Sequence, residues 1–206
     1  EMYDLYKGEE LIIADITKDQ LTPVFVNESG TDWFLIAYVK NQGTVMVRSG
    51  EVLPWELFQH LFAAPVYLGD DLLWVEAAGS GKFRVVKEGE TLYEGRLPDS
   101  PVDTPFKNLI AWDGHWAAET RGDVILDGQS LTKANGWGEV FHLRLIKGRP
   151  FYFYSNGGKV YISYDGQTLP QSYDEVIHYM CCEPAAFNPG SNDSMVWFWA
   201  RKGAMW

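Results

Sequence analysis

The sequence lacks long hydrophobic runs. No stretch approaches the roughly 20 apolar residues that a membrane-spanning helix needs, so we expect no membrane partner. The opening stretch EMYDLYKGEE does not have the composition of a signal peptide. The first residue is Glu1 rather than Met, which favours a secreted or cell-surface protein from which an upstream segment has been removed, although the compartment stays open.

Basic residues are also scarce. The 206 residues include 17 Lys and Arg against 28 Asp and Glu, which gives a net charge of −11, and no basic run occurs. Because negative surfaces repel phosphates, we expect neither nucleic acid nor an anionic membrane surface as a partner. The 46% hydrophobic content is typical of a globular chain, and 15% aromatic residues with 20 Gly favour a β-rich fold with many tight turns.

Cysteine is almost absent. Cys181 and Cys182 are neighbours, so their Cα atoms lie about 3.8 Å apart, below the roughly 4.4–6.8 Å of ordinary disulfides, and we expect two reduced thiols. With His178 they offer two ligands on one face of an extended segment, too few for a structural zinc. The stretch AAGSGKF has Glu76 where a phosphate loop needs glycine. We therefore expect no metal and no cofactor.

The chain does contain an internal repeat. The motif Gly-[Glu/Gln]-x-Leu occurs five times, with Gly at positions 8, 50, 89, 128 and 166, and successive motifs are 42, 39, 39 and 38 residues apart. Glycine adopts the positive φ of a two-residue hairpin turn without steric cost. Glu follows the glycine in three motifs and Gln in two, so a charge there is dispensable and the motif indicates a structural turn rather than an active site.

Short apolar runs accompany the turns. An alternating run such as KVYISYD precedes the glycine, an aromatic-led run such as PFYFYS comes before it, and a third such as PVFV lies further upstream. With the strand after the glycine, a unit of about 40 residues holds up to four strands, the size of a β-propeller blade. The sequence therefore predicts an all-β fold, a single five-bladed β-propeller domain over 1–206. The predicted blade units are 22–62, 63–105, 106–139, 140–182, and 183–206 joined with 1–21.

The two ends of the chain complement each other. The run MVWFWARKGAMW has an aromatic strand and no strand after its glycine, whereas YDLYKGEEL has the third strand and the glycine turn with nothing before them. We predict that these N- and C-terminal strands close the last blade together, because an open ring would leave exposed strand edges.

These repeats resemble those of β-propellers generally. Five blades of this size are similar in plan to tachylectin-like lectins, and five-bladed glycoside hydrolases such as arabinanases share the blade number. The resemblance covers the whole chain but rests on architecture and on no family signature, so it transfers no functional residue.

The candidate ligand-binding residues lie in the loops between units, since the resemblance implies a ligand at the mouth of the ring. Aromatic rings offer flat apolar area and carboxylates accept hydrogen bonds from hydroxyls. In NGWGEV, glycines on both sides of Trp137 let its ring project; packing between blades is the alternative for Trp55 and Trp137. The predicted ligand-binding residues are Trp55, Tyr93, Asp103, Trp137, Tyr173 and His178.

No catalytic pattern stands out. A glycosidase needs two carboxylates roughly 5–9.5 Å apart, one of them with a raised pKa. The acids near the ends of inner strands stand in short turns, where Asp and Glu are ordinary residues. These acids are Glu28, Asp70, Asp71 and Asp113.

We therefore predict no catalytic residue and a non-catalytic, monomeric module that binds a glycan, a small polar ligand or a protein. The alternatives are a glycoside hydrolase-like enzyme with carboxylates at the ring mouth, and an interaction scaffold whose acidic surface faces a basic partner in a larger assembly. Since only turn and core residues recur, we expect one site rather than five equivalent ones.

Overall fold

Antiparallel β-sheet makes up almost all of the regular secondary structure in the described part of the chain. The computed structural model describes residues 2–53, 63–77, 81–96, 106–179 and 188–205, without the side chains of 18–20 and 77. Within these ranges there is one short helix, α1 (Leu131–Asn135). No helix in the described part of the chain is long and apolar enough to cross a membrane.

The first sheet has six strands. They are β1 (Met2–Lys7), β2 (Glu10–Leu21), β3 (Phe25–Val26), β4 (Trp33–Val39), β5 (Gly43–Arg48) and β6 (Glu51–Leu53). The order is β1-β2-β4-β5-β6, and β3 pairs with β4. Both β2, from the N-terminal hairpin, and the short β3 that follows it therefore pair with β4.

Three four-stranded sheets follow, each a meander of consecutive strands. The second contains β7 (Val66–Leu68), β8 (Asp71–Ala77), β9 (Lys82–Lys87) and β10 (Glu90–Arg96). The third contains β11 (Phe106–Trp112), β12 (His115–Thr120), β13 (Asp123–Leu126) and β14 (Gln129–Ser130). The fourth contains β15 (Val140–Ile146), β16 (Arg149–Asn156), β17 (Lys159–Tyr164) and β18 (Gln167–Tyr173).

The C-terminal strands are short and form two small sheets. They are β19 (Glu175–Val176), β20 (Gly190–Ser191), β21 (Val196–Trp197) and β22 (Ala200–Arg201). β19 pairs with β22, and β20 pairs with β21.

Four of the predicted glycine turns are confirmed as hairpins between the last two strands of the four larger sheets. Both central residues have positive φ in the four complete cases, as a two-residue type I′ turn requires. These pairs are Ser49-Gly50, Glu88-Gly89, Asp127-Gly128 and Asp165-Gly166. At the fifth motif, Gly8 has a φ of 65° and connects β1 to β2.

Successive sheets pack face to face, in chain order. Phe34 and Met46 of the first sheet meet Leu72 of the second. Larger apolar clusters join the second sheet to the third and the third to the fourth, and a further one joins the fourth sheet to the C-terminal strands. The opposite face of the first sheet is covered by Ile13 and Ile16 of β2.

The sequence predicts a fifth blade closed by strands from both chain ends, and this closure stays a prediction. Among the described residues, no ladder joins the N-terminal hairpin to the C-terminal strands. β2 continues into the first sheet, where Ile16 faces Val39 and Leu21 faces Ala37. β2 has twelve residues, and this length carries the chain past the hairpin and onto the edge of β4.

Candidate functional site

Four of the six predicted ligand-binding residues are described, two of them in strands of different sheets and two between strands. Trp55 and Asp103 lie outside the described residues. Tyr93 of β10 packs on Phe83 at a ring-centroid distance of 5.7 Å, and Tyr173 of β18 contacts the edge of Phe198 at 5.3 Å. Both rings are half-buried, which leaves part of each accessible to a ligand.

Trp137 follows α1, and its ring lies on a neighbouring ring instead of projecting. It stacks on Tyr154 with centroids 3.9 Å apart and planes inclined by 21°. The flanking glycines serve the backbone: Gly136 ends α1 with a φ of 66°, and a Cβ at Gly138 would stand 2.6 Å from the Ser155 hydroxyl oxygen. The structure therefore gives Trp137 the packing role that was the alternative in the sequence, and its binding role stays a prediction.

His178 is brought close to the Trp137 loop through Glu139. Its Nε2 lies 3.1 Å from Glu139 Oε1, its Nδ1 donates to the Val176 carbonyl oxygen at 2.7 Å, and its ring stacks on Phe141 at 3.6 Å. His178 thus contacts the loop that contains Trp137, while Tyr93 belongs to a different sheet.

Glu119 was missed by the sequence reasoning. It lies at the end of β12 and is 2% exposed. Its Oε1 accepts from the His142 amide at 2.7 Å and the Tyr179 hydroxyl at 2.9 Å, and its Oε2 accepts from the Leu143 amide at 2.9 Å. Burial raises the pKa of Glu119, while Arg144 and these donors act in the opposite direction. The carboxyl group ties the third sheet to the fourth and to the segment around Tyr179.

The surroundings of Glu119 are aromatic and basic. Tyr179 lies under the side chains of Lys107 and Arg121, whose charged ends are 5.1 and 5.6 Å from the ring centroid. Burial and the Glu119 charge raise the pKa of the Tyr179 hydroxyl. His142 is buried beside Phe151 and Phe153, and its burial, followed by the charges of Arg144 and His178, lowers its pKa to about 3. This network holds the sheets together and leaves Glu119 no access to a ligand.

A cleft of about 380 Å³ opens at the other end of the sheets. In an antiparallel meander, the turns between the first and second strands and between the third and fourth strands share one end, which we call the hairpin-turn end. The cleft lies where such turns of the first three sheets converge. The residues that give it its chemistry are Glu28, Tyr67, Gly69, Trp112 and Asp113.

The turn between β3 and β4 positions Glu28. Asn27 is buried, and its side chain bonds both Ser29 and Thr31. The Glu28 amide donates to the Gly69 carbonyl oxygen at 3.3 Å, and a Cβ at Gly69 would lie 4.0 Å from Glu28 Oε2. The Glu28 carboxylate therefore lies against the β7–β8 turn.

The other walls come from the ends of β7 and β11. The Tyr67 ring packs against Phe34 at 5.5 Å, and the Trp112 ring lies 5.8 Å from His115. Asp113 follows Trp112 with a φ of 44°, as the first central residue of a type I′ turn. A sequence signal existed: both rings stand one or two residues before an acidic glycine turn, in YLGD and WDG.

The four acids considered for hydrolysis fall into two pairs. Glu28 and Asp113 both line the cleft. Asp70 Oδ1 accepts from the Ser29 amide at 2.9 Å, and Asp71 Oδ2 lies 2.9 Å from Lys87 Nζ, so these two carboxylates are engaged in structure.

An ion-pair bridge joins the first two sheets next to the cleft. Arg48 donates to Asp32 at 2.7 Å and, through both terminal nitrogens, to Glu88 at 2.9 and 2.7 Å. The hydrogen bond from Arg48 holds the pKa of Glu88 below its ordinary value, against burial. For Asp32, burial acts to raise the pKa, but the bonds from Arg48 and Ser49 outweigh it.

We expect Arg48→Met to lower the free energy of unfolding by about 1 kcal/mol at pH 7, a small value because the bridge is partly exposed. The pKa values of Asp32 and Glu88 are lowered in the folded protein, so both carboxylates stabilise it at pH values above their ordinary pKa values of 3.8 and 4.5. This contribution is lost as the pH falls through the pKa values of the folded protein. The difference between variant and wild type should therefore shrink at pH 3. Urea unfolding at both pH values measures it, with Lys82→Met at an exposed pair as the control; an equal difference at both pH values would contradict the assignment.

Comparison with known proteins adds a similarity to solved structures. No protein-family model and no curated protein matches the chain. The chain is similar to a solved structure described as the crystal structure of BBS1N in complex with ARL6DN, soaked with lead, with 12% sequence identity and a TM-score of 0.38. The match covers 85% of this chain and 64% of that chain, so the chain spans less than two thirds of the protein it matches.

Proposed function

We propose that the chain is a non-catalytic binding module whose ligand site is the cleft at the hairpin-turn end. The observation that carries the proposal is the composition of that cleft: two aromatic rings and two carboxylates around about 380 Å³ of open space. Ligand sites are concave, largely formed by rings and apolar groups, and carry a few convergent polar groups. A cleft of this kind suits a protein partner, a glycan or a small polar ligand.

The carboxyl chemistry supports binding over catalysis. A general acid needs a raised pKa together with access to the substrate. Among the described residues, Glu119 is the one carboxyl group with a raised pKa, and it is buried under three protein donors. The shifted pKa values of Asp32, Glu88, Glu94 and Asp174 are all lowered, so these groups stay ionised at neutral pH.

A glycoside hydrolase is the second candidate, because the cleft contains two of the four acids that hydrolysis would use. In this reading Glu28 and Asp113 act on a sugar held against Tyr67 and Trp112. The two functions are separated by measuring release of reducing sugar from a panel of oligosaccharides. Release that is abolished in the Glu28→Gln, Asp113→Asn double variant would establish the enzyme and overturn the non-catalytic proposal.

The binding proposal predicts a specific loss in Trp112→Leu. A labelled protein is applied to an array of peptides and glycans, and the affinity for any bound compound is measured in both variants. We expect Trp112→Leu to weaken binding at least about tenfold, since aromatic residues in concave sites often contribute 2 kcal/mol or more. Trp74→Leu, a half-buried indole outside the cleft, serves as the control and should change affinity less than about twofold. Binding that resists Trp112→Leu would place the site elsewhere.

For the architecture, we propose a propeller-like ring of five blades over the predicted units. Strands at the two ends of the described chain support it. The carbonyl oxygens of Met195, Trp199 and Arg201 accept hydrogen bonds from backbone amides within 174–192. Carbonyl groups two residues apart in a strand point to the same edge, so all three bonds use one edge of 196–201. The opposite edge of 196–201 therefore has no strand partner among the described residues, and β1 is the first strand in the order of its sheet.

Apolar exposure supports the same closure. All the large hydrophobic side chains that are exposed in the described chain lie either between residues 2 and 52 or between 195 and 205. They include Leu11 at 50%, although the equivalent leucines of the other four motifs pack into the apolar clusters. Pairing β1 with 196–201 would cover both groups and supply the third and fourth strands of the last blade.

A further inference from the structure

We propose that the cleft at the hairpin-turn end binds an arginine side chain of a protein partner. This inference rests on the proposed function and names the ligand class of the same site. It follows from the charge, the shape and the rings of the cleft, and each of these points to a planar cation.

The charge of the described lining is negative and only weakly offset, by one cation outside the cleft. No Lys or Arg is among the described residues that line the cleft, and Glu28 makes no ion pair with any described residue. Asp113 is 72% exposed, and its nearest cation, Arg149 Nη1, is 3.9 Å away, beyond hydrogen-bond distance. Both carboxylates therefore keep acceptor capacity for a ligand.

The neighbouring acids add to this field. Asp70 stands in the β7–β8 turn next to Gly69, and the whole chain carries a net charge of −11. A neutral sugar in the cleft would take the Glu28 carboxylate partly out of water without a counter-charge, which costs free energy. A cation offsets that cost and is also steered towards the cleft from a distance.

The rings favour guanidinium over ammonium. Tyr67 and Trp112 present aromatic surface beside the two carboxylates. A guanidinium group stacks on such a ring and donates two parallel hydrogen bonds to a carboxylate, whereas an ammonium group is a compact, strongly hydrated charge. The volume of about 380 Å³ is at the small end of ligand sites and suits one side chain rather than a long ligand.

The test uses two probes of the same shape. Nα-acetyl-arginine methylamide and its citrulline counterpart differ in charge at the end of the side chain. Binding is followed by two-dimensional NMR, with the Trp112 indole and the Gly69 amide as reporters. We expect the arginine probe to bind with a Kd on the order of 1 mM and the citrulline probe to bind at least about tenfold more weakly.

Glu28→Gln and Glu90→Gln form the matched variants, because each removes one negative charge and Glu90 is exposed on β10, outside the cleft. Glu28→Gln should weaken the arginine probe at least about fivefold, and Glu90→Gln less than about twofold. Equal binding of the two probes, or equal affinity in the two variants, overturns the arginine assignment.

A third probe separates the two proposals. If methyl glucoside shifts the Trp112 and Gly69 signals while arginine and citrulline do not differ, the cleft is a binding site and the arginine assignment is wrong. If none of the three probes shifts these signals at 50 mM concentration, taken as about fifty times the expected Kd, both proposals fail.

Discussion

Replacing Glu119 by alanine is expected to lower the free energy of unfolding by about 3–5 kcal/mol. The variant would leave the amides of His142 and Leu143 and the hydroxyl of Tyr179 without their acceptor in a buried site. Each unsatisfied buried donor costs about 1–3 kcal/mol. Urea unfolding followed by tryptophan fluorescence measures the loss.

Two further variants show that the effect comes from the hydrogen bonds. Tyr179→Phe removes the hydroxyl group, so no donor is left without an acceptor, and it should lower the free energy of unfolding by about 1 kcal/mol. Glu94→Ala removes an exposed carboxylate paired with Lys82 and should change stability by less than about 0.5 kcal/mol. A loss in Glu119→Ala as small as that in Glu94→Ala would show that the buried network contributes nothing to stability.

Deleting residues 2–10 is expected to lower the melting temperature by about 10 °C or more. The deletion removes β1, uncovers part of the outer face of the first sheet and, if the ring closes as proposed, opens the ring as well. A loss of 3 kcal/mol or more corresponds to roughly 6–12 °C for a chain of this size. Differential scanning calorimetry gives both the temperature and the number of transitions.

A point variant is the control for this deletion. Leu5→Ala truncates one half-buried side chain of the hairpin and leaves the β1 backbone in place, so it should cost only about 1–2 kcal/mol. A melting temperature within about 2 °C of wild type for the 2–10 deletion would show that the hairpin is dispensable for the fold.

The repeated turns could be predicted from the sequence because their cause is local. A type I′ hairpin needs positive φ at two consecutive residues, and x-Gly provides it wherever the rest of the unit lies. The four pairs from Ser49-Gly50 to Asp165-Gly166 adopt this geometry. Strand periodicity around the turns is equally local, and it predicted the all-β fold.

The functional features could not be predicted in the same way because their partners are distant in the chain. The donors to Glu119 are 23, 24 and 60 residues away, and nothing in the stretch HWAAET indicates them. The cleft likewise joins Glu28, Tyr67 and Trp112 from three different sheets. The sequence directed attention to the loops between units, whereas this cleft lies at the opposite end of the sheets.

The Trp137 loop shows how a correct local observation can lead to a different role. Its glycines were noted as conformationally permissive, and they are: Gly136 has a positive φ and Gly138 approaches Ser155 closely. Sequence reasoning could not show that Tyr154, 17 residues further along, would lie under the indole ring. The indole ring therefore packs, as in the alternative weighed from the sequence, and the binding role of Trp137 stays a prediction.

The proposed ring closure is the central claim, because it would bring the turns of five units together at one end, where the cleft lies. It is tested most directly by hydrogen exchange of the 196–201 amides in the full chain and in the 2–10 deletion. If β1 pairs with this strand, alternate amides of 196–201 are protected by about 10³-fold or more in the full chain and lose that protection in the deletion. Exchange at the same rate in both proteins would contradict the closed ring.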